Sequence, residues 1–407
     1  MTLLIFIGLG FWALSLVMVC SGTLLSFLHR RISGENRHPV GKSISVLKPI
    51  KGLEEGLRQN LQSFFDLDYP NLELIFCVSD PHDPARDLVE ELMHKNPNVV
   101  AKLIVGGSHL GLNPKINNLY VGYKTAKYDL MLISDSNIRA RKNYLWQITS
   151  HMRPGVGLVT SAVEGSGVES VGAKLEQSYL NTYLTRWLHL SHFVGQPIIM
   201  GKSMLFRKST LERCGGLKAL KDDVAEDYAS GLLMKKYHLK IALMSEPVSQ
   251  HLGKFSLVDF WMRHLRWGRI RKAYAPIAFL MEPLSSAFGS GMVGAAALSY
   301  YTESSFLLVL LAHLALWCAN DLFLRADRNE KITTSMFFAW LVGEFLSVPI
   351  WVHTVMGREV DWRGNRLTLA HGGKVVGGGG EEYRVEPTFE ENPAVWETQE
   401  IPIMYIR

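Results

Sequence analysis

Residues 3–28 form a nearly unbroken apolar run, and His29, Arg30 and Arg31 follow at once. About 20 apolar residues are enough to cross the hydrocarbon core of a bilayer, so this run can span. It is too long for the apolar core of a secretory leader and has no basic residues before it. Residues 1–30 therefore read as an uncleaved anchor. Whatever folds next must fold beside a membrane, and the basic flank places it on the cytosolic side. Three more apolar stretches come late, at 276–302, 305–324 and 334–356. The first contains Glu282, Pro283 and several glycines, which suits an interfacial or re-entrant piece; the other two read as spans. Four full crossings would put Arg358, Arg363 and Arg366 on the side where positive charge is disfavoured. One segment of the 276–357 region is therefore expected not to cross, and the first is the candidate. Residues 358–407 read as a basic segment followed by a flexible, glycine-rich and acidic tail.

A net charge of +5 over 407 residues is mild, and the basic residues gather beside apolar stretches, so no nucleic-acid partner is expected. Cys20, Cys77, Cys214 and Cys318 have neither CxxC nor Cys/His spacing. Neither a disulfide framework nor a zinc site is expected, and a reducing compartment fits.

Between the apolar ends, residues 39–254 alternate short apolar runs with helical stretches. Strands are expected at 43–47, 72–78, 101–105, 130–134 and 156–161. Helices are expected at 53–65, from Asp83-Pro84 to about His94, and from Asn113-Pro114 to Ala126. This alternation predicts an α/β domain with an open, mostly parallel sheet covered by helices on both faces. Such sheets bind ligands at the carboxyl ends of their strands. Asp80 and Asp83 follow the strand at 72–78, and Asp135 follows the strand at 130–134, so two acidic sites fall on that one edge.

Three acidic segments and one cationic helix carry the candidate chemistry. Asp135-Ser136-Asn137 offers a hard carboxylate oxygen to Mg2+ or Mn2+, although an Asx turn accounts for the same residues. In Asp80-Pro81-His82-Asp83, Asp80 can accept from a uracil N–H or a ribose hydroxyl, and Asp83 can equally cap the next helix. Asp222, Asp223, Glu226 and Asp227 precede a helix. Four carboxylates exceed what capping needs, and one with a raised pKa can serve as a general base. Residues 255–275 form an amphipathic, interfacial helix with Val258, Trp261, Met262 and Leu265 on its expected apolar face and Arg263, Arg266 and Arg269 in a row. Gly41-Lys42-Ser43 is not a phosphate loop, because position 36 is Asn and the segment precedes a strand. Acids that hold a cation and remove a proton, with arginines that neutralise a diphosphate, are what transfer from a nucleotide sugar needs.

From about residue 45 to 272 the chain resembles the ceramide glucosyltransferases, membrane-bound members of the inverting GT-A glycosyltransferases. The resemblance rests on Leu47-Lys48-Pro49, residues 64–70, Asn113-Pro114-Lys115 through Leu119, Asp135-Ser136, Glu226-Asp227-Tyr228, and Arg263-His264-Leu265-Arg266-Trp267. It implies that Asp83, Asp135 and Asp227 are the family's three aspartates. Asp227 is then the proton acceptor and Asp135 the metal ligand. Asp80, Asp83, Asp135, Arg263 and Arg266 bind the UDP donor, and Trp267 stacks on donor or acceptor. It further implies a UDP-sugar donor, a Mg2+ or Mn2+ cofactor, and a membrane lipid acceptor, ceramide. Asn137 stands where many relatives have Gly, and Leu184 where animal members carry a His. Transfer of N-acetylglucosamine or another hexose to a hopanoid or other lipid is the alternative. A processive polysaccharide synthase is a further one, but it would need more late spans and usually has Gln where Arg263 stands. A catalytically silent lipid- or nucleotide-binding membrane protein is set against by the retained acids.

Overall fold

The computed structural model describes residues 2–34, 42–362, 365–373 and 375–376. Arg363, Gly41 and the tail beyond 376 lie outside the described residues. In chain order the elements are α1 (Thr2–Gly34), β1 (Ile44–Ile50), α2 (Leu57–Phe65), β2 (Leu72–Val78), α3 (Ala85–Lys95), β3 (Val100–Val105), α4 (Pro114–Thr125), β4 (Leu130–Ser134), β5 (Ile138–Arg139), α5 (Tyr144–Ser150) and β6 (Val156–Val168). Then follow α6 (Val171–Ser178), a π-helical turn (Tyr179–Leu184), α7 (Thr185–Phe193), β7 (Ser203–Arg207), α8 (Lys208–Arg213), α9 (Glu226–Lys236) and β8 (Lys240–Gly253). The last elements are α10 (Leu257–Tyr274), α11 (Pro276–Leu280), α12 (Ala287–Thr302), α13 (Phe306–Asp327), α14 (Thr334–Met356) and the short strands β9 (Glu359–Trp362), β10 (Asn365–Leu369) and β11 (Val375–Val376). The described chain gathers into two compact units. One combines residues 37–161 and 199–251; the other combines the N-terminal helix with 162–198 and 252–373.

The first unit is built on an eight-stranded sheet of order β3-β2-β1-β4-β7-β6-β8-β5. β3, β2, β1 and β4 are parallel, as the strand–helix alternation predicts. Beyond β4 the sheet turns antiparallel, because β7 pairs with β4 head to tail, Ser203 opposite Ser134. Side chains alternate between the two faces along each strand. On one face Phe65 of α2 stacks on Phe76 with ring centroids 5.6 Å apart. On the other, Gly122 of α4 lies so close to Cys77 and Ile75 that any side chain there would collide with them. Helices thus cover both faces. Leu47, Ile75, Cys77, Met131 and Ile133 are buried with Ile116, Leu119 and Tyr123 in one apolar cluster.

Among the described residues, the second unit contains three helices long and apolar enough to cross a membrane, Thr2–Ile32, Phe306–Asp327 and Thr334–Met356. The stretch 276–302 breaks into α11, a 3-10 turn (Glu282–Ser285) and the 16-residue α12, so no helix in it reaches that length. α1 and α13 lie side by side and point the same way. Trp12 Nε1 donates to His313 Nδ1 at 2.8 Å, Asn320 Nδ2 donates to Thr23 Oγ1 at 2.9 Å, and Arg30 pairs with Asp327 at 3.3 Å. α12 runs the other way along α1, with Tyr301 opposite Phe6 and Gly294 against Trp12.

α10 is capped by a reciprocal pair, Ser256 and Asp259. Phe260, His264, Leu265 and Gly268 are buried, whereas Val258 is 70 % exposed and Met262 48 %. The buried face includes His264 because the Glu176 carboxylate holds it there.

Candidate functional site

Several loops converge at the carboxyl end of the parallel strands, the loop after β1 among them. β2 leads into Asp80 and Asp83, β3 into the start of α4, and β4 into Asp135, while Gly201 lies just before β7 and Glu226 opens α9. Because β7 is antiparallel to β4, its beginning comes to the same edge as β4's end. One tight turn supplies the central cation. Asn113 caps α4 by accepting from the Lys115 and Ile116 backbone N–H groups, and Pro114 occupies the first helical turn. The Asn113 amide also donates to the Asp223 carbonyl at 2.7 Å, tying this turn to the acidic segment.

Lys115 is thereby fixed at the centre. Its Nζ lies 2.8 Å from Asp135 Oδ1 and 2.8 Å from Glu226 Oε1, and it donates to the Gly201 carbonyl at 3.0 Å. Burial alone would strip the charge from Lys115, but Asp135 and Glu226 outweigh burial and hold its pKa well above the ordinary lysine value. Burial likewise opposes the charge on Asp135, and Lys115, Lys202 and Lys48 reverse that, keeping the carboxylate ionised. Sequence reasoning assigned no role to Lys115. Its signal was a lysine at the first turn of a capped helix, where the dipole disfavours cations unless a carboxylate answers them.

Asp227 is the acid of this edge whose pKa moves up. Burial raises it first and the charge of Glu226 adds to this. Lys115 and the backbone N–H groups of Tyr228 and Gly201 oppose them, leaving it at about 6. Those two N–H groups hold the side chain in place, Gly201 N–H on Oδ2 at 3.1 Å and Tyr228 N–H on Oδ1 at 2.8 Å. Gly201 can come this close because it has no side chain. A Cβ there would sit 3.1 Å from Asp227 Oδ2 and 3.2 Å from Glu226 Oε1. Gly201→Ala is therefore expected to lower kcat about tenfold or more while the fold survives. An unchanged kcat would show that the Asp227 position is not critical.

The remaining candidates divide between anchoring and open positions. Asp83 spends both oxygens on backbone, accepting from Ala85 N–H and from Gly52 N–H, each at 2.8 Å. It joins the loop after β1 to the loop after β2. Asp80 is exposed and accepts from His82 N–H at 2.8 Å, an Asx turn. Asp222 accepts from Leu112 N–H at 3.2 Å, so part of the acidic run serves a loop. Lys48 passes under the edge, fully buried, donating to the Asp135 carbonyl at 2.6 Å and lying 3.7 Å above the Phe64 ring. Burial lowers its pKa to about 7 against the pull of Asp135 and Glu54. Among the described residues no three His, Cys, Asp or Glu side chains gather as a metal cage. What the edge offers a divalent cation is the Asp135 carboxylate. That donor set fits Mg2+ or Mn2+, which take few carboxylates and complete their shells with substrate phosphate and water.

Arg263, Arg266 and Trp267 belong to the other unit. There the buried Glu176 of α6 accepts from Arg263 Nη1 and from His264 Nε2, both at 2.9 Å. Burial pushes Glu176 up, but His264 and Arg263 outweigh it and hold its pKa at about 2. The Arg263 guanidinium also lies 4.1 Å over Phe255 and 5.9 Å over Trp267. Arg266 and Trp267 are half-buried on the same helix.

Compared with known proteins, residues 10–375 match the model of glycosyl transferase family 21. Ceramide glucosyltransferase 1 of Caenorhabditis elegans is 32% identical over 354 residues, 86% of this chain and 75% of its own. A ceramide glucosyltransferase of Komagataella phaffii is 26% identical over 416 residues, 80% of this chain and 82% of its own. Among solved structures, a mannosyltransferase from Pyrobaculum calidifontis in complex with GDP-Man and Mn2+ aligns with a TM-score of 0.47 at 16% identity, covering 85% of this chain and 99% of that one. With a family match across nine-tenths of its length and a relative of this identity, the chain belongs to glycosyl transferase family 21 and is a membrane-associated glycosyltransferase.

Proposed function

We propose that the chain moves a hexose from a UDP-sugar to the primary hydroxyl of ceramide, with inversion, on the cytosolic face of the membrane. The observation that carries this reading is Asp227, raised in pKa and locked by two backbone N–H groups on the ligand edge beside Asp135. Asp227 takes the hydroxyl proton as the acceptor oxygen attacks the anomeric carbon. The bond from that carbon to the diphosphate breaks, its electron pair leaves with UDP, and attack from the opposite face gives the β-glycoside. A bound Mg2+ or Mn2+ supplies stabilisation of the leaving diphosphate. Lys115 holds Asp135 and Glu226 apart from each other's repulsion and so keeps Asp135 ionised for the cation. Asp83 shapes the two loops of the donor edge, and Asp80 remains open to the nucleoside. Arg263 and Arg266 as partners of the donor, and Trp267 as a stacking surface, rest on the motif they share with the family.

Purified protein in detergent, given ceramide and UDP-glucose, is expected to release UDP and form a β-glucoside seen by mass spectrometry. UDP release only with UDP-N-acetylglucosamine and a hopanoid would replace this reading with the alternative one. Asp135→Ala is expected to weaken UDP-sugar binding and to make it insensitive to Mg2+ or Mn2+, measured by titration calorimetry. Unchanged metal-dependent binding would reduce Asp135 to a turn residue.

A further inference from the structure

A cavity of about 240 Å3 lies within the unit that carries the long apolar helices. Its wall is assembled from segments far apart in sequence: α6 with the π-helical turn, α10, the turn before α12, and α14. Leu175, Phe260, Trp340, Ile350 and Trp351 make much of it apolar. The π turn takes one residue more than an ordinary helical turn. Tyr179, Thr182 and Tyr183 all come from that turn and line the cavity. Tyr179 stacks on Tyr183 at 4.8 Å, and the Tyr183 hydroxyl accepts from Ser285 Oγ at 2.9 Å.

The Arg271–Glu282 ion pair interrupts the apolar wall; of the other ionisable groups lining it, Glu344 accepts from the Ala287 N–H and His264 is turned to Glu176. The pair is not closed off, since Arg271 keeps 36% of its side chain accessible and Glu282 17%. An apolar chamber with a few fixed polar groups is the usual form of a small-molecule site. The polar groups here set the occupant's chemistry. A guanidinium donates to a carbonyl and a carboxylate accepts from an N–H, so together they match a secondary amide. The apolar remainder asks for hydrocarbon on either side of that amide. The chamber falls below the roughly 300–1,000 Å3 of drug-sized pockets, so it takes one segment of a long lipid and not the whole molecule.

We propose that this cavity is the acceptor subsite, holding the lipid by its amide and the first part of its chain. The proposal rests on the lipid-acceptor reading above. Gly343 provides the test. It lines the cavity in the middle of α14, and a Cβ there would have only Leu175 Cδ2 nearby, at 3.9 Å. Gly343→Leu therefore fills the chamber without a backbone clash, and leucine favours a helix more than glycine does.

The experiment uses the full-length protein in detergent micelles, long-chain ceramide and UDP-glucose. Gly343→Leu is expected to raise the acceptor KM about tenfold or more, with UDP affinity unchanged, and Gly343→Ala to raise it less. Gly10→Leu, on an exposed face of α1 where a Cβ meets nothing within 4 Å, is the control and should leave both values unchanged. In wild type, an N-methylated ceramide should compete poorly, because it cannot donate to Glu282. An unchanged acceptor KM in Gly343→Leu with intact UDP binding overturns the proposal, and so does equal competition by the N-methylated lipid. If Gly343→Leu fails to bind UDP, Gly343→Ala decides by the same criterion. A wild type that transfers to no amide-bearing lipid while transferring to another lipid sinks the ceramide reading itself.

Discussion

Asp227→Asn is expected to lower kcat by about 10²–10⁴-fold while UDP-sugar binding stays nearly intact. The two side chains are almost the same shape. The amide oxygen of the substituted side chain can still accept from one of the two backbone N–H groups that hold Asp227 now, so the fold should persist. Only the capacity to take a proton is lost. The pH profile gives a second reading of the same group. A base works in its deprotonated form, so wild-type kcat/KM should rise with pH up to about 6 and level off above it. Glu226→Gln removes a neighbouring negative charge and should move this limb to lower pH. A profile flat through pH 6, or an Asp227→Asn variant within tenfold of wild type, would remove Asp227 from the chemistry.

Lys115→Met should damage stability and catalysis together. Lys115 is only 13% exposed and answers two carboxylates at 2.8 Å. Taking one partner out of a buried ionic cluster costs about 3–5 kcal/mol, because the remaining charges stay buried and unanswered. Thermal unfolding of the detergent-solubilised protein should show that loss as a lower Tm. The Asp227 limb should also move, here to higher pH, since Lys115 opposes the upward pull of burial and Glu226. Full Tm with an unmoved limb would mean that the cluster relaxes around the gap and that Lys115 is a bystander.

These two residues mark where the sequence was legible and where it was not. Asn113-Pro114 announced the start of α4, and the apolar runs at 72–78 and 130–134 matched β2 and β4 residue for residue. The edge that gathers these acids followed from those strands alone. Which acid did what did not follow. Positions 115, 135, 201 and 226 meet only because β7 enters the sheet antiparallel, and no local pattern encodes that pairing. The acidic run looked uniform in sequence, yet Asp222 serves a loop, Glu226 pairs with Lys115, and Asp227 rests on Gly201. Glu176 was equally hidden. It reads as an ordinary helix residue until Arg263 and His264, almost ninety positions later, fold onto it.

The shared direction of α1 and α13 constrains how the chain runs between them. Two neighbouring helices that point the same way need a return stroke between them. The chain makes that stroke in the broken pieces from 276 to 302, ending with Tyr301 beside Phe6, so the stretch expected not to cross runs back along α1. No single helix there is long enough for the task, so the stroke depends on its neighbours for shelter, as the close fit of Gly294 on Trp12 provides. Glu303 and Ser304 therefore surface where the chain begins. Asp327, held by Arg30, lies at the other end of α1 with the loop that leads to α14. If α1 and α13 cross a bilayer, an impermeant reagent is expected to meet these two hairpins from opposite compartments.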